Sequence, residues 1–361
     1  MNASPGFNLV GYATSPMGLG EDLRTFAAML DHLGIAFSVI DVPTDVQGRV
    51  QVSWRHMTTQ DHATSIFFMA ATECERLVRL HPKLLTQPLK KVGYFLWELP
   101  DFPADQVPAL QLMDHIWCPT RFVQQAFFAQ SRQLTLALPL PVVQQAGRGV
   151  DFRKKLKIPA HAFVSLYLFD LHSTLQRKNP QAVLRVFLEM AQTCPDAFLI
   201  LKISRWQNMG PDALNWLPRH PRIKVIKDTL EPSELSDLYA SADCYLSLHR
   251  SEGFGRTLVE ALQNGLYLVC TDFSGPQDFV TAENTLLVNW TRSEVKAHDY
   301  PNLTVKSWWA EPDETHALKR LHEAREKSRT GRNLAGLALQ QQFSYEGLAN
   351  KYKPVLQTYL R

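Results

Sequence analysis

The residues best suited to chemistry lie in one run, Ser251-Glu252-Gly253-Phe254-Gly255-Arg256, which continues through Glu260 to Gly265. Two glycines flank an aromatic just ahead of a helical pattern. Backbone N–H groups can there approach a ligand closely at the positive end of a helix dipole, an arrangement that suits a diphosphate. Glu252 falls in the loop and Glu260 roughly a turn and a half into the helix, so the two carboxylates can meet different parts of one elongated ligand. Hydroxyls of a sugar and of a ribose are natural donors to them. Glu260 has an alternative, an i, i+4 pair with Arg256 on a solvated face.

Such loops need strands to aim them. Residues 7–13 read as a strand, 21–33 as a helix with an apolar face and 36–42 as a strand, with further strands at 65–70, 91–97 and 115–118. After a proline-rich, glycine-containing connection at 139–159 the rhythm restarts: strand 163–169, a helix from about 180 to 191, then strands 198–201, 223–226, 244–248, 266–270 and 285–288. Strands alternating with helices imply parallel sheets covered on both faces, in which ligands bind beyond the carboxyl ends of the strands. The reactive run follows strand 244–248, as that rule requires.

A chain of 361 residues is long for a single core, and 45% hydrophobic with 20% charged residues is a globular composition. The expected division is a domain of residues 1–145 joined by 344–361, and a domain of 150–343. A net charge of +3 is too small to make nucleic acid the main partner. Arg148, Arg153, Lys154, Lys155 and Lys157 bunch near the connection and read as a solvated linker, with anionic lipid head groups as the alternative partner. Five cysteines have no zinc or redox spacing, which suits inert thiols in a reducing compartment. No apolar run approaches the roughly 20 residues that span a bilayer, so the expected location is cytoplasmic, with peripheral contact at the inner membrane face left open.

The run from Glu252-Gly-Phe-Gly to Glu260-Ala-Leu, with Gly265 beyond it, resembles the signature of the retaining glycosyltransferases of family 4, the glycosyl transferases group 1. The resemblance implies the GT-B fold: two Rossmann-like domains facing across a cleft, with the carboxyl-terminal helix crossing back to the first domain. It implies that Glu252 contacts the transferred sugar and Glu260 the donor ribose, with Gly253, Phe254 and Gly255 at the donor. Asp278, ending the stretch Ser274-Gly-Pro-Gln-Asp278, stands where the family has an acidic residue near the donor; an ordinary turn is the other reading. The family also places a basic pair between a strand and a helix of the second domain, against the donor phosphates. Arg177 and Lys178 match it, and two cations at a helix start stabilise the charge growing on a leaving diphosphate. Where relatives carry an arginine six residues earlier this chain has His172, with Lys202 as a possible substitute or a surface lysine.

In the first domain the resemblance assigns Gly18 and Gly20, in a loop after strand 7–13, to the donor phosphates. As a dinucleotide fingerprint that loop is incomplete, because Leu23 stands where the third glycine belongs. Trp97 falls where the family often has a histidine beside the sugar, and Glu98 is then placed for an acceptor hydroxyl. A core tryptophan and a capping glutamate fit equally well.

The resulting expectation is an enzyme that moves a hexosyl unit, with retention, from a nucleoside diphosphate sugar to a glycan or lipid-linked glycan in surface polysaccharide synthesis. Glu252, Lys178 and Arg177 are its catalytic set. No Asp-x-Asp occurs, so neither metal nor cofactor is expected. The competing readings are a nucleotide-sugar 2-epimerase of the same fold, which changes its substrate without an acceptor, and a non-catalytic nucleotide-sugar-binding subunit.

Overall fold

A computed structural model describes residues 4–44, 50–52, 61–86, 90–171, 173–205, 214–296, 298–300 and 303–360. The chain forms two compact units. Met1–Val143 with Gln341–Arg361 make the first, and Gln144–Gln340 the second.

Unit 1 holds six strands, β1 Ser4–Gly11, β2 Phe37–Asp41, β3 His62–Phe68, β4 Lys90–Tyr94, β5 His115–Cys118 and β6 Leu134–Ala137. All pair in parallel, in the order β2-β1-β3-β4-β5-β6. The strand order reverses between β1 and β3, so the loop after β1 lies at a switch point. That loop is shorter than the glycine pattern suggests, because helix Gly18–His32 takes Gly18 and Gly20 into its first turn. Glu21 N–H donates to Met17 O at 3.0 Å, and the amides just ahead of it are the ones a helix leaves without intrahelical partners. Arg24 ties the loop down, donating to Ala13 O at 2.9 Å and Ser15 O at 2.7 Å.

Helix Tyr345–Tyr359 closes the core of unit 1. Tyr352 is fully buried against Phe26 and Trp117, and its hydroxyl donates to Leu138 O and Pro139 O, each at 3.1 Å.

Unit 2 holds β7 Phe163–Asp170, β8 Ala197–Ser204, β9 Ile223–Ile226, β10 Cys244–Ser247, β11 Tyr267–Thr271 and β12 Thr285–Val288. They pair in parallel in the order β9-β8-β7-β10-β11-β12, the strand order of a dinucleotide-binding fold, with its reversal between β7 and β10. These strands are apolar along almost their whole length because helices cover both faces; in β7 only Asp170, at the carboxyl end, is not buried. Ladder pairing of β7 with β10 stops at Leu166. Beyond it the Tyr245 hydroxyl accepts from Leu168 N–H at 3.2 Å, filling the gap as the strands diverge.

Of the basic bunch, Arg148, Lys154, Lys155 and Lys157 are exposed, as a solvated linker requires, while the backbone at Arg148 and the Arg153 side chain are anchored. The Asp237 carboxylate accepts from the N–H groups of Arg148, Gly149 and Val150 at 3.0 to 3.2 Å. These bonds, with Val150 contributing most, hold its pKa below the ordinary value. Arg153 donates to Ser241 O and Ala162 O and pairs with Asp243 at 2.8 Å.

A two-stranded antiparallel hairpin, β13 Trp290–Glu294 and β14 Trp308–Pro312, follows β12. Among the described residues no helix is long and apolar enough to cross a membrane, and all five cysteines are buried and form no disulfide.

Candidate active site

The loops after β7 and β10, on either side of the strand-order reversal, bring together the three residues expected to do chemistry. After β7 the chain forms one helical turn, Leu175–Lys178, and then breaks at Asn179, whose φ of 51° and ψ of 49° are left-handed. Two rules explain the break: a residue before proline is pushed out of the right-handed helical region, and asparagine tolerates the left-handed one. Helix Pro180–Thr193 starts immediately afterwards. Arg177 and Lys178 are thereby held on the short turn, and the Tyr167 hydroxyl donates to Lys178 O.

After β10 the chain carries Glu252 into the same place. One Glu252 oxygen accepts from Arg177 Nη1 at 3.0 Å and the other from Lys178 Nζ. Arg177 also donates to Ser251 O at 2.9 Å and Ser173 Oγ at 2.7 Å. Glu252 is 6% exposed and Arg177 4%. Burial alone would raise the Glu252 pKa, but Lys178 and Arg177 outweigh it and hold the carboxyl at about 2.

The backbone of Glu252 is fixed as firmly as its side chain. Its N–H donates to Ser274 Oγ at 2.8 Å, and its carbonyl accepts from Gly275 N–H at 2.9 Å. A Cβ on Gly275 would stand 2.1 Å from Gly253 O, so only glycine permits this approach of two loops. Ser274 itself has φ 69° and ψ −151°, a region otherwise almost confined to glycine and costing about 1–3 kcal/mol. Gly255, at φ 89°, makes the left-handed turn into helix Arg256–Gln263.

Two further residues brace the cluster. Arg250 grips Glu311 of β14 with two bonds of 2.6 and 2.9 Å and donates to Gln176 O at 2.7 Å, while its own N–H donates to Arg177 O at 2.8 Å. It thus ties the hairpin to the turn that carries both cations. His249 is fully buried, with Nδ1 3.1 Å from Ser247 Oγ and Nε2 3.4 Å from Phe273 O. The carbonyl contact assigns the proton to Nε2. Burial is the main cause that lowers its pKa to about 4, so the ring is neutral. Neither residue is singled out by the sequence, since both look like ordinary polar residues at a strand end. Their roles depend on contacts across β11 and the hairpin.

The remaining candidates are placed as follows. Glu260, on helix Arg256–Gln263, accepts from the buried Tyr239 hydroxyl at 2.7 Å. Phe254 packs edge-on against Phe279, with ring centroids 5.7 Å apart. Asp278 is half-buried in the single turn Gly275–Asp278. Lys202 is not a surface lysine but 6% exposed, bonded to Ser204 Oγ at 3.0 Å. Burial lowers its pKa, while Asp170 and Asp228 oppose that shift, so its electrostatic partners differ from those of the Glu252 cluster.

Trp97 is a buried core tryptophan, the alternative that the sequence left open. β4 ends at Tyr94, and the indole, in the following loop, donates to Asp101 O at 3.0 Å and packs on Phe102 in the core of unit 1. Glu98 beside it is half-buried. Gly18 and Gly20 belong to unit 1, and His172 lies outside the described residues. Among the described residues no group of three or more His, Cys, Asp or Glu is placed to hold a metal ion.

Residues 222–298, which include Glu252, Glu260 and Asp278, match the family model described as glycosyl transferases group 1. That segment is of the glycosyl transferases group 1. Several solved structures share the fold. A sucrose-phosphate synthase from Thermosynechococcus elongatus is 14% identical, with a TM-score of 0.70 over 98% of each chain. HepE from Anabaena, solved with UDP-glucose, is 14% identical with a TM-score of 0.63, over 98% of this chain and 99% of its own. The pneumococcal O-GlcNAc transferase GtfA, solved with UDP and GlcNAc, is 15% identical with a TM-score of 0.56; the match covers 82% of this chain and 57% of that one. No curated protein matches the chain in sequence. Two parallel six-stranded sheets with this likeness define the fold as GT-B. Arg177 and Lys178 lie outside the matched group 1 segment and meet it only through the fold.

Proposed function

We propose that the chain is a retaining glycosyltransferase that moves a hexosyl unit from a nucleoside diphosphate sugar to a glycan or lipid-linked glycan, in surface polysaccharide synthesis. The observation that carries this reading is the buried Arg177–Glu252–Lys178 cluster at the strand-order reversal of unit 2. Cations there neutralise a departing diphosphate, and a fixed carboxylate orients a sugar hydroxyl, which is the electrostatic work such a transfer needs. Glu260, steadied by Tyr239, is the ribose ligand in this reading. Gly253, Gly255 and Asp278 complete the donor site, and Gly18 and Gly20 of unit 1 offer amides to an anion.

The group 1 segment supports the activity, and the UDP and UDP-glucose bound by structural relatives support the donor class. The transfer is metal-independent and uses no cofactor, because side-chain cations supply the charge that a metal otherwise would. Five buried thiols that form no disulfide fit a cytoplasmic enzyme, acting at the inner membrane face when its acceptor is lipid-linked.

A panel of UDP-, GDP- and ADP-sugars screened by thermal shift, followed by donor turnover with a glycan acceptor, tests the reading. One nucleotide class should raise the Tm and be consumed. If no nucleotide sugar shifts the Tm or turns over, the proposal fails.

A further inference from the structure

Both oxygens of Glu252 bond the two cations assigned to the diphosphate. One faces Arg177 and the other Lys178, in a setting where Glu252 and Arg177 are almost wholly buried. The carboxylate cannot retreat by moving its backbone. Ser274 Oγ and Gly275 N–H hold its peptide groups, and Gly275 has no room to shift against Gly253. A diphosphate reaching Arg177 and Lys178 must therefore share these cations with Glu252 while adding negative charge beside it.

A sugar changes that balance. Its hydroxyl donates to the carboxylate and replaces a lost cation contact, whereas a free nucleoside diphosphate brings no such donor. A buried charge left short of partners is costly.

We propose that Glu252 sets the selectivity of the site for nucleotide sugar over free nucleoside diphosphate: once the sugar has left, the carboxylate competes with the diphosphate for Arg177 and Lys178 and drives product release. This rests on the donor-site reading above. Glu252 then has two successive partners in one cycle, the sugar hydroxyl before transfer and the two cations after it. The site is cleared by the same residue that orders the sugar.

Titration calorimetry on the full chain tests this, using UDP, GDP and ADP and the matching nucleotide sugars. Glu252→Gln removes the competing charge, so it should bind the preferred nucleoside diphosphate about tenfold more tightly than the unmodified protein does. Binding of the nucleotide sugar should not tighten, and the preference for it should collapse. Glu252→Asp keeps the charge one methylene short of the cations and should fall between the two.

Should Glu252→Gln fold poorly with two buried cations unopposed, inorganic pyrophosphate ought to raise its Tm by more than that of the unmodified protein, and the Asp variant carries the affinity comparison. Equal or weaker diphosphate binding in both variants overturns the proposal. If nucleotides bind normally but no variant tightens, only this inference falls. If neither nucleotide nor nucleotide sugar binds any form, the donor-site reading falls with it.

Discussion

His249 makes acid stability a direct test of the packing around the site. Its imidazole is fully buried, accepts from Ser247 and donates to Phe273 O, and burial lowers its pKa from 6.5 to about 4. The folded state refuses a proton that the unfolded chain binds. The stabilisation is therefore complete above pH 6.5 and is lost progressively as pH falls to about 4. At about 1.36 kcal/mol per pKa unit, the displacement corresponds to roughly 3 kcal/mol. Urea unfolding followed by tryptophan fluorescence at steps from about pH 7.5 to 4.5 measures it, with His249→Asn as the reference that lacks the titrating ring. Carboxylates titrate in both proteins, so their contribution cancels in the comparison. Over that range the unmodified protein should lose about 2–3 kcal/mol more than the variant. Parallel stability curves would show that the ring protonates without cost, and the account of a sealed, neutral His249 would be wrong.

Glu252→Ala should do more than stop transfer: it leaves Arg177 and Lys178 buried without their counter-charge, at a cost of about 3–5 kcal/mol. An unchanged Tm in that variant would mean that the cations find other partners. Gly275→Ala drives a Cβ into the Gly253 carbonyl and should lower stability by about 3 kcal/mol while abolishing donor binding; a variant that binds donor normally contradicts the close approach of the loops. Arg250→Lys cannot reproduce the two-bond grip on Glu311 together with the bond to Gln176 O, so the donor KM should rise about tenfold with a small change in Tm. Unchanged kinetics would reduce Arg250 to a surface brace. Transfer should survive excess EDTA, and strict loss of activity in chelator would remove the metal-independent mechanism.

The sequence made the switch-point residues legible because their signals are local. Glu252 and Glu260 stand at fixed spacing beside glycines, and Arg177 and Lys178 precede Asn179-Pro180, which ends one helix and starts another. The alternation of apolar runs with helical patterns likewise comes from burial on both sheet faces. Other features depend on distant contacts. Helix Gly18–His32 has Met17 at its start, with no side-chain cap, so the first acidic residue, Glu21, looks like the beginning and the glycines look like loop. Trp97 reads as the end of a strand because its neighbours are apolar, yet β4 stops at Tyr94 and the indole joins a core that its own segment does not reveal. The β13–β14 hairpin is short and half-exposed, and its strands pair with each other across residues that carry no periodic pattern. The backbone of Ser274 is invisible in any residue type, since its geometry is imposed by Glu252 and Phe273.

Unit 1 is assembled from both ends of the chain, and Tyr352 and Tyr359 reach Phe26, Trp117 and His115 only after everything between Val143 and Gln341 has been made. At about 5–20 residues per second of synthesis, that interval is on the order of ten seconds or more. During it the first sheet exists with its aromatic wall open. Unit 2, whose residues are contiguous, can complete its own core within the same interval. Of the two units, the one whose synthesis starts first is therefore the one whose core closes last.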